Sequence, residues 1–103
     1  MPARIIPFPC APSAKFLEEK LKEFGADSEK LIFDNPHFKE RLVERGLSMR
    51  HALEAIRSGC VVDGPQQDKW GNWRIKVSRL VAGRRVQVVV AYKGDHFVVV
   101  TVI

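Results

Sequence analysis

Three basic side chains lie four residues apart near the middle of the chain, and their types suit phosphate chemistry. They are His37, Arg41 and Arg45. On a helix this spacing forms one stripe that drifts by roughly 40° per step. Histidine can exchange a proton near neutral pH, and guanidinium groups stabilise phosphate. The alternative is an ordinary solvated surface, on which Glu40 and Glu44 neutralise the arginines and His37 only helps to cap the helix.

A second candidate cluster lies in a segment of alternating polar and apolar residues. It comprises Arg74, Lys76, Ser78 and Gln87. Because side chains change face at every residue of a strand, Arg74, Lys76 and Ser78 are predicted to share one face. Such donors could bind a scissile phosphate and stabilise a pentacovalent transition state without a metal ion. The alternative is a plain solvent-facing sheet surface.

The charge distribution favours a functional interpretation of this segment. Residues 69–94 include seven basic side chains and no acidic one, whereas the remaining chain has ten basic and twelve acidic residues. The seven are Lys69, Arg74, Lys76, Arg79, Arg84, Arg85 and Lys93. A sheet of one sign attracts a polyanion. The alternative is a basic edge that prevents aggregation between sheets.

Aromatic residues flank the same segment. Trp70, Trp73 and Tyr92 could stack on bases, although aromatic residues at strand ends more often belong to the core. His51 and His96 have no partner by spacing and are predicted to be surface residues.

Three apolar-rich runs predict a three-stranded antiparallel meander. They span 72–80, 84–92 and 96–103, and each intervening turn contains a glycine. If Ala82-Gly83 forms the first turn, Ser78 lies opposite Gln87 and Trp73 lies opposite Tyr92.

The register of the last strand stays open. Val98, Val99 and Val100 are apolar on both faces, so the pattern does not select one register. A three-residue loop pairs Tyr92 with His96, whereas a two-residue loop reverses the parity.

Helix signals precede the meander. Asn35-Pro36 predicts a helix start, and Gly46 ends that helix after about Arg45. Ser48 caps a second helix, predicted over 49–58. Before them, the sequence predicts an extended arm over 1–12, a docking helix over 14–24 and a short apolar run at 31–33, which is either a strand or the apolar entry to the next helix. After them, 60–62 begins the sheet and 63–68 forms a polar turn.

The predicted architecture is therefore α+β. A helix hairpin packs on an antiparallel sheet of about four strands. The chain divides into an N-terminal arm and docking helix, residues 1–35, and an α+β domain, residues 36–103.

Composition excludes several classes of protein. No apolar run is long enough for a membrane span and no signal-peptide pattern appears, so we expect a cytoplasmic protein. Cys10 and Cys60 are too few and too far apart for a metal site, and Cys60 is predicted to be buried. No phosphate-binding glycine loop, nucleophile elbow or H-E-x-x-H motif is present. The sequence therefore predicts no metal and no cofactor.

The segment from Pro36 to Ser48 resembles the opening of a small bacterial family described only as a domain of unknown function. The pattern is His-Phe-x-x-Arg, then Glu-Arg-Gly-Leu-Ser, a short helix ending in glycine, and a valine-rich meander closing on Val-Thr-Val. Residues 36–103 fit this pattern. The order of elements also looks like the MqsR and RelE toxins, which are compact α+β ribonucleases. Trp73, the turn at 80–83 and the valine-rich ending are most similar to MqsR.

The resemblance to these toxins implies a metal-independent ribonuclease that cleaves messenger RNA. Its implied partner is a cognate antitoxin of zinc-finger or helix-turn-helix type. Lys69 matches the lysine that precedes the sheet in MqsR-like toxins, but Arg74 follows Trp73 where those toxins have glutamine. A different proton-transfer group is therefore needed. His37 is the candidate, with Lys69 or Lys76 as the alternative. The alternative function is a non-catalytic basic module that binds nucleic acid or an acidic protein.

Together these arguments predict two groups of site residues. The catalytic group comprises His37, Arg41, Arg74 and Lys76. The RNA-binding group comprises Arg45, Lys69, Trp73, Arg84, Arg85 and Gln87.

Overall fold

The computed structural model describes residues 12–26, 30–33 and 35–103. These residues form three helices and one five-stranded sheet, so the predicted α+β class is confirmed. The helices are α1 (Ala14–Gly25), α2 (Pro36–Arg45) and α3 (Met49–Ser58). The strands are β1 (Leu31–Ile32), β2 (Cys60–Gln67), β3 (Trp73–Val81), β4 (Arg84–Tyr92) and β5 (Phe97–Val102). None of the helices in the described ranges is long and apolar enough to cross a membrane.

The sheet is mixed, with strand order β1-β5-β4-β3-β2. Strands β2 to β5 form consecutive antiparallel pairs, whereas β1 pairs in parallel with β5. The prediction of an antiparallel sheet of about four strands is therefore wrong in its strand number and in one orientation. A strand of two residues is too short to produce an alternating pattern, and Leu31 joins the sheet because it is buried in the core opposite Phe97.

The predicted register of the β3–β4 hairpin is confirmed. Ser78 pairs with Gln87 and Trp73 with Tyr92. Both turn residues have positive φ, 53° at Ala82 and 80° at Gly83. Such two-residue turns match the right-handed twist of the strands that they connect.

The β4–β5 pair combines two registers, and the two-residue loop is the alternative that occurs at the turn, because the Lys93 N–H donates to the His96 carbonyl oxygen around Gly94-Asp95. Tyr92 pairs with Phe97 in the same register, and a bulge beyond Val99 shifts the pairing by one residue. As a result Val99 and Val102, which differ by three positions, are both fully buried. The bulge changes which alternate residues face the core, so Val99 is buried before it and Val102 after it. The valine run therefore needs apolar residues at both odd and even positions.

Strand β2 includes the segment that was predicted to be a polar turn over 63–68, so that prediction is wrong for all but its last residue. Two register shifts interrupt its pairing with β3. An edge strand pairs on one side only, so polar residues can continue it without entering the core. Cys60 pairs with Ser78 on this strand and is exposed, which contradicts its predicted burial.

The three helices cover one face of the sheet and enclose a single core with it. Helix α3 packs on β3 and β4, α2 packs on β5, and α1 packs on α3 and β2. Leu17, Leu21 and Phe24 of α1 are buried in the same cluster as the sheet valines, and Phe24 contacts Phe97 edge to face. The predicted docking helix is therefore part of this core. Residues 1–11, most of the predicted arm, lie outside the described residues, and the domain division at 35 stays a prediction.

Each helix ends against an arginine from another element. Arg57 donates to the Gly25 carbonyl oxygen, and Arg79 donates to that of Ser58. Arg84 donates to the carbonyl oxygens of the last turn of α2, at 2.6 Å and 3.0 Å. These contacts satisfy terminal carbonyl groups and place positive charge at the negative end of each helix dipole.

Side chains from the helical layer also satisfy backbone groups at the sheet edges. Asn35 and Arg41 donate to the carbonyl oxygens of Val100 and Val102 on β5, beyond the part that β1 covers. On β2, the Val61 N–H donates to the Glu18 carboxylate of α1 at 2.9 Å. Such contacts protect strand edges that would otherwise pair with another chain.

We predict that Glu18→Gln weakens the attachment of α1 to β2. The Val61 N–H, assisted by Lys22, lowers the pKa of the Glu18 carboxyl below its ordinary value, while partial burial acts in the opposite direction. The ionised carboxylate therefore stabilises the fold at neutral pH, and its contribution disappears as the pH falls through the lowered pKa. The variant should lose about 1 kcal/mol of unfolding free energy at pH 7 and less at pH 3, as measured by urea denaturation.

Glu19→Gln is the matched control, since Glu19 is an exposed neighbour without a hydrogen bond or ion pair in the described part of the chain. Equal losses in the two variants at pH 7 would contradict the assigned role of Glu18.

Candidate functional site

The sheet face opposite the helices is not covered by another element within the described ranges. We call it the open face, and it consists of the residues that alternate with the buried ones on β3, β4 and β5. They include Arg74, Lys76, Ser78, Leu80, Arg85, Gln87, Val89, Ala91, Val98 and Val100, of which Ser78 and Ala91 are themselves buried beneath neighbouring side chains. The clean alternation of β3, with Ile75 and Val77 buried, is what assigns the basic side chains to this face.

Four of the predicted site residues lie on the open face. Arg74 and Lys76 lie on β3, and Arg85 and Gln87 lie on β4. The guanidinium group of Arg85 donates to the hydroxyl oxygen of Ser78 at 3.0 Å, which orients it across the two strands. Lys76 has no hydrogen bond or ion pair with any other described residue, so its ammonium group is available to a ligand.

One acidic residue partly offsets this positive charge. Asp68 Oδ2 accepts from Arg74 Nε at 3.1 Å, and its side chain is only 10% exposed. Burial alone would raise the pKa of Asp68, but the N–H groups of Asn72 and Trp70, together with Arg74, lower the pKa below its ordinary value. Asp68 is therefore ionised at neutral pH, and the open face is less positive than the sequence count indicates.

Two residues of the basic segment face the helices. Arg79 bonds the end of α3 and pairs with Glu54, while Arg84, predicted to bind RNA, bonds the end of α2. Their guanidinium groups therefore stabilise the helical layer and do not contribute to the open face.

The remaining predicted RNA-binding residues are dispersed. Trp73 lies on the helix side opposite Tyr92 and packs, half-buried, against the core. Arg45 is the exposed last residue of α2, and its carbonyl oxygen accepts from Arg84. Lys69 lies in the β2–β3 loop, with its ammonium group 4.6 Å from the centre of the Trp70 ring.

The four predicted catalytic residues form two separate groups. His37 is exposed in the first turn of α2, and Arg41 donates to the Val102 carbonyl oxygen and pairs with Glu44. Helix α2 lies along β5, which is two strands from β3, or about 10 Å. Arg74 and Lys76 on β3 are therefore separated from His37 and Arg41 on α2, and the four side chains do not form one cluster.

A cleft of about 500 Å³ opens at the Arg74 end of the open face. Its lining residues are Asn35, Asp68, Trp70, Asn72, Arg74, Ala91, Lys93, Val98 and Val100. Sequence analysis considered Trp70 as a stacking residue but left it out of the site, and it missed Asp68 and Asn72. The available signal was an Asp followed by a glycine-containing loop, because Asp often fixes such turns through backbone N–H groups.

Within 12–26, 30–33 and 35–103, no three His, Cys, Asp or Glu side chains are grouped closely enough to bind a metal ion.

Comparison with known proteins identifies one family. Neither the curated proteins nor the solved structures include a match to this chain. A family model described as "Domain of unknown function (DUF4258)" matches residues 35–103, which include α2, α3 and β2 to β5 and hence most of the open face and its cleft. The resemblance to MqsR and RelE is not part of this match and stays a prediction. Because the matched segment is well over half of its length, the chain belongs to the DUF4258 family.

Proposed function

We propose that this protein binds RNA with the open face of its sheet. The observation that supports the proposal is that Arg74, Lys76 and Arg85 are spaced along one face of β3 and β4, which no described helix or strand covers. Gln87 and Ser78 lie between them and add neutral hydrogen-bonding groups. Cations spaced along strands suit the phosphates of an extended polyanion.

The proposal favours single-stranded RNA over a duplex. The open face offers no helix that could enter a groove, whereas single strands are commonly bound by basic sheet surfaces with aromatic side chains. The exposed Trp70 at one end of the open face is such a side chain.

The resemblance to MqsR and RelE supports a catalytic extension of this proposal. In it, the protein is a cytoplasmic, metal-independent ribonuclease toxin that cleaves messenger RNA and is restrained by an antitoxin. His37 would accept the 2′-hydroxyl proton, the 2′-oxygen would attack phosphorus to form a 2′,3′-cyclic phosphate, and the departing 5′-oxygen would take a proton from water. Lys76 and Arg74 would stabilise the charge on the phosphate, and His37 would transfer a proton.

The position of α2 favours a second candidate, a binding module without catalysis. His37 belongs to the helix beside β5, and the Arg41 guanidinium is engaged by Val102 and Glu44. Both residues are on α2, whereas Lys76 is on β3, two strands away from β5. Binding through the open face does not require a proton-transfer group, so it stands independently of cleavage.

We expect the triple variant Arg74→Gln, Lys76→Gln, Arg85→Gln to weaken RNA binding and to reduce its salt dependence. Each lost phosphate contact lowers the slope of log K against log salt by about 0.7 for a single strand, so three contacts amount to about 2. Fluorescence anisotropy with a short single-stranded RNA, over a series of salt concentrations, measures both effects.

The matched control is Lys15→Gln, Lys39→Gln, Arg50→Gln, which removes the same charge from exposed positions on the three helices. Arg84 is excluded from both variants because it stabilises the end of α2. An equal loss of slope in the control would mean that only net charge matters, and the open face would be rejected as the binding surface.

We predict for the catalytic extension that His37→Ala slows RNA cleavage by about 10²–10⁴-fold, because it removes the proton-transfer group. The His37→Ala substitution should change the affinity for RNA only slightly. The measurement is cleavage of a labelled single-stranded RNA in the presence of EDTA, with the folded state checked by circular dichroism. Cleavage at the parental rate would remove His37 from the mechanism. Absence of cleavage by the parental protein, with RNA binding intact, would favour the module without catalysis.

A further inference from the structure

Trp70 is an unusual residue for an exposed position. Its side chain is 68% exposed, although it is the largest apolar surface on the β2–β3 loop. Large aromatic side chains left in solvent commonly mark a binding surface, because their burial by a ligand is favourable. Trp70 also lines the cleft at the end of the open face.

The loop that carries Trp70 is fixed by a set of hydrogen bonds. Asp68 Oδ1 accepts from the N–H groups of Trp70 and Asn72, each at 2.9 Å, and Arg74 donates to the other carboxylate oxygen. The backbone N–H of Asp68 donates in turn to the Asn72 carbonyl oxygen. Trp70 is thus presented by an ordered loop, which reduces the entropy lost when a ligand binds.

The cleft combines an apolar floor with polar groups at its rim. Ala91, Val98 and Val100 form the floor, on the outward side of β4 and β5. The side-chain amide of Asn72 has no hydrogen-bond partner among the described residues, and neither does the Lys93 ammonium group. The volume of about 500 Å³ lies within the usual range for small-molecule sites.

We propose that this cleft is a nucleobase subsite, which accepts one unstacked base of the RNA strand bound on the open face. The base stacks on the Trp70 ring and contacts the apolar floor, while the Asn72 amide hydrogen-bonds its edge and Lys93 binds the adjoining phosphate. This inference rests on the proposed function and adds a specific contact to it.

The continuity of the cleft with the open face favours a base over a protein side chain. Arg74 lines the cleft and also lies beside Lys76 on β3, with side chains roughly 7 Å apart. A strand whose phosphates contact Lys76 and Arg85 therefore reaches the cleft without changing direction. The Lys69 ammonium contacts the Trp70 ring but does not line the cleft, so the ring keeps a surface for a base.

The test compares a short single-stranded RNA with an abasic analogue of the same length, which keeps the phosphates and lacks the bases. The parental protein should bind the RNA about 5- to 100-fold more tightly than the analogue. Trp70→Ala should abolish this preference without changing the affinity for the analogue, whereas Trp70→Phe should retain most of it. Val43→Ala is the matched control and should keep the preference, since Val43 is an exposed apolar residue on α2, outside the open face.

The remaining outcomes separate the two proposals. Equal affinity of the parental protein for both ligands, or a preference that survives Trp70→Ala, overturns the nucleobase subsite and leaves binding by the open face intact. An equal loss for both ligands in Trp70→Ala also overturns it, because Trp70 would then act only through the fold. Failure of the parental protein to bind either ligand rejects the proposed function together with the subsite.

Discussion

The register of the β3–β4 hairpin determines what each face of this sheet can do. With Ser78 opposite Gln87, Ile75 and Val77 face the helices and Arg74 and Lys76 face outward. A slip of one residue would exchange these sets, burying two cations and exposing the apolar side chains. The two-residue turn at Ala82-Gly83 fixes the register, although a positive φ at a non-glycine residue costs about 1 kcal/mol. The basic surface thus follows directly from the packing of the core.

The same constraint divides the arginines of β3 and β4 into a helix-side group and an outward-facing group. Arg79 and Arg84 lie on the helix side, where they bond the ends of α3 and α2, and Arg57 bonds the end of α1. Their charge compensates helix dipoles, so they add little to the attraction of a distant polyanion. Arg74 and Arg85 point the other way. The many basic residues of this segment therefore have two separate roles. Those on the helix side bond helix ends, and those on the open face give it positive charge.

Sequence patterns predicted the elements whose signals are local. Asn35-Pro36 and Gly46 bound α2 as expected, and the alternation over β3 gave its register with β4. Features that depend on tertiary contacts were open or missed. A strand at 31–33 was one of two alternatives, but its parallel pairing with β5 was not predicted, and the bulge near Val100 depends on which valines reach the core. The continuation of β2 beyond Val62 depends on its position at the sheet edge.

The candidate site was predictable only in part for the same reason. Strand alternation brought Arg74, Lys76, Arg85 and Gln87 together, but no pattern in the sequence relates the helix of His37 to a strand two positions away. The cleft could not be predicted from the sequence, because it forms where the loop ordered by Asp68 lies beside the outward side of β5. Sequence spacing reports neighbours within one element, whereas a site assembled from several elements depends on their packing.

The most direct test of RNA binding by the open face uses the arginine Nε–H signals in NMR. Titration with a short single-stranded RNA should shift the signals of Arg74 and Arg85, which face outward. The signals of Arg57 and Arg84, whose guanidinium groups bond helix carbonyls, should remain unchanged and serve as internal references. Shifts confined to the helix-side arginines, or absent from Arg74 and Arg85 at saturating RNA, would contradict the assignment of the open face as the RNA-binding surface.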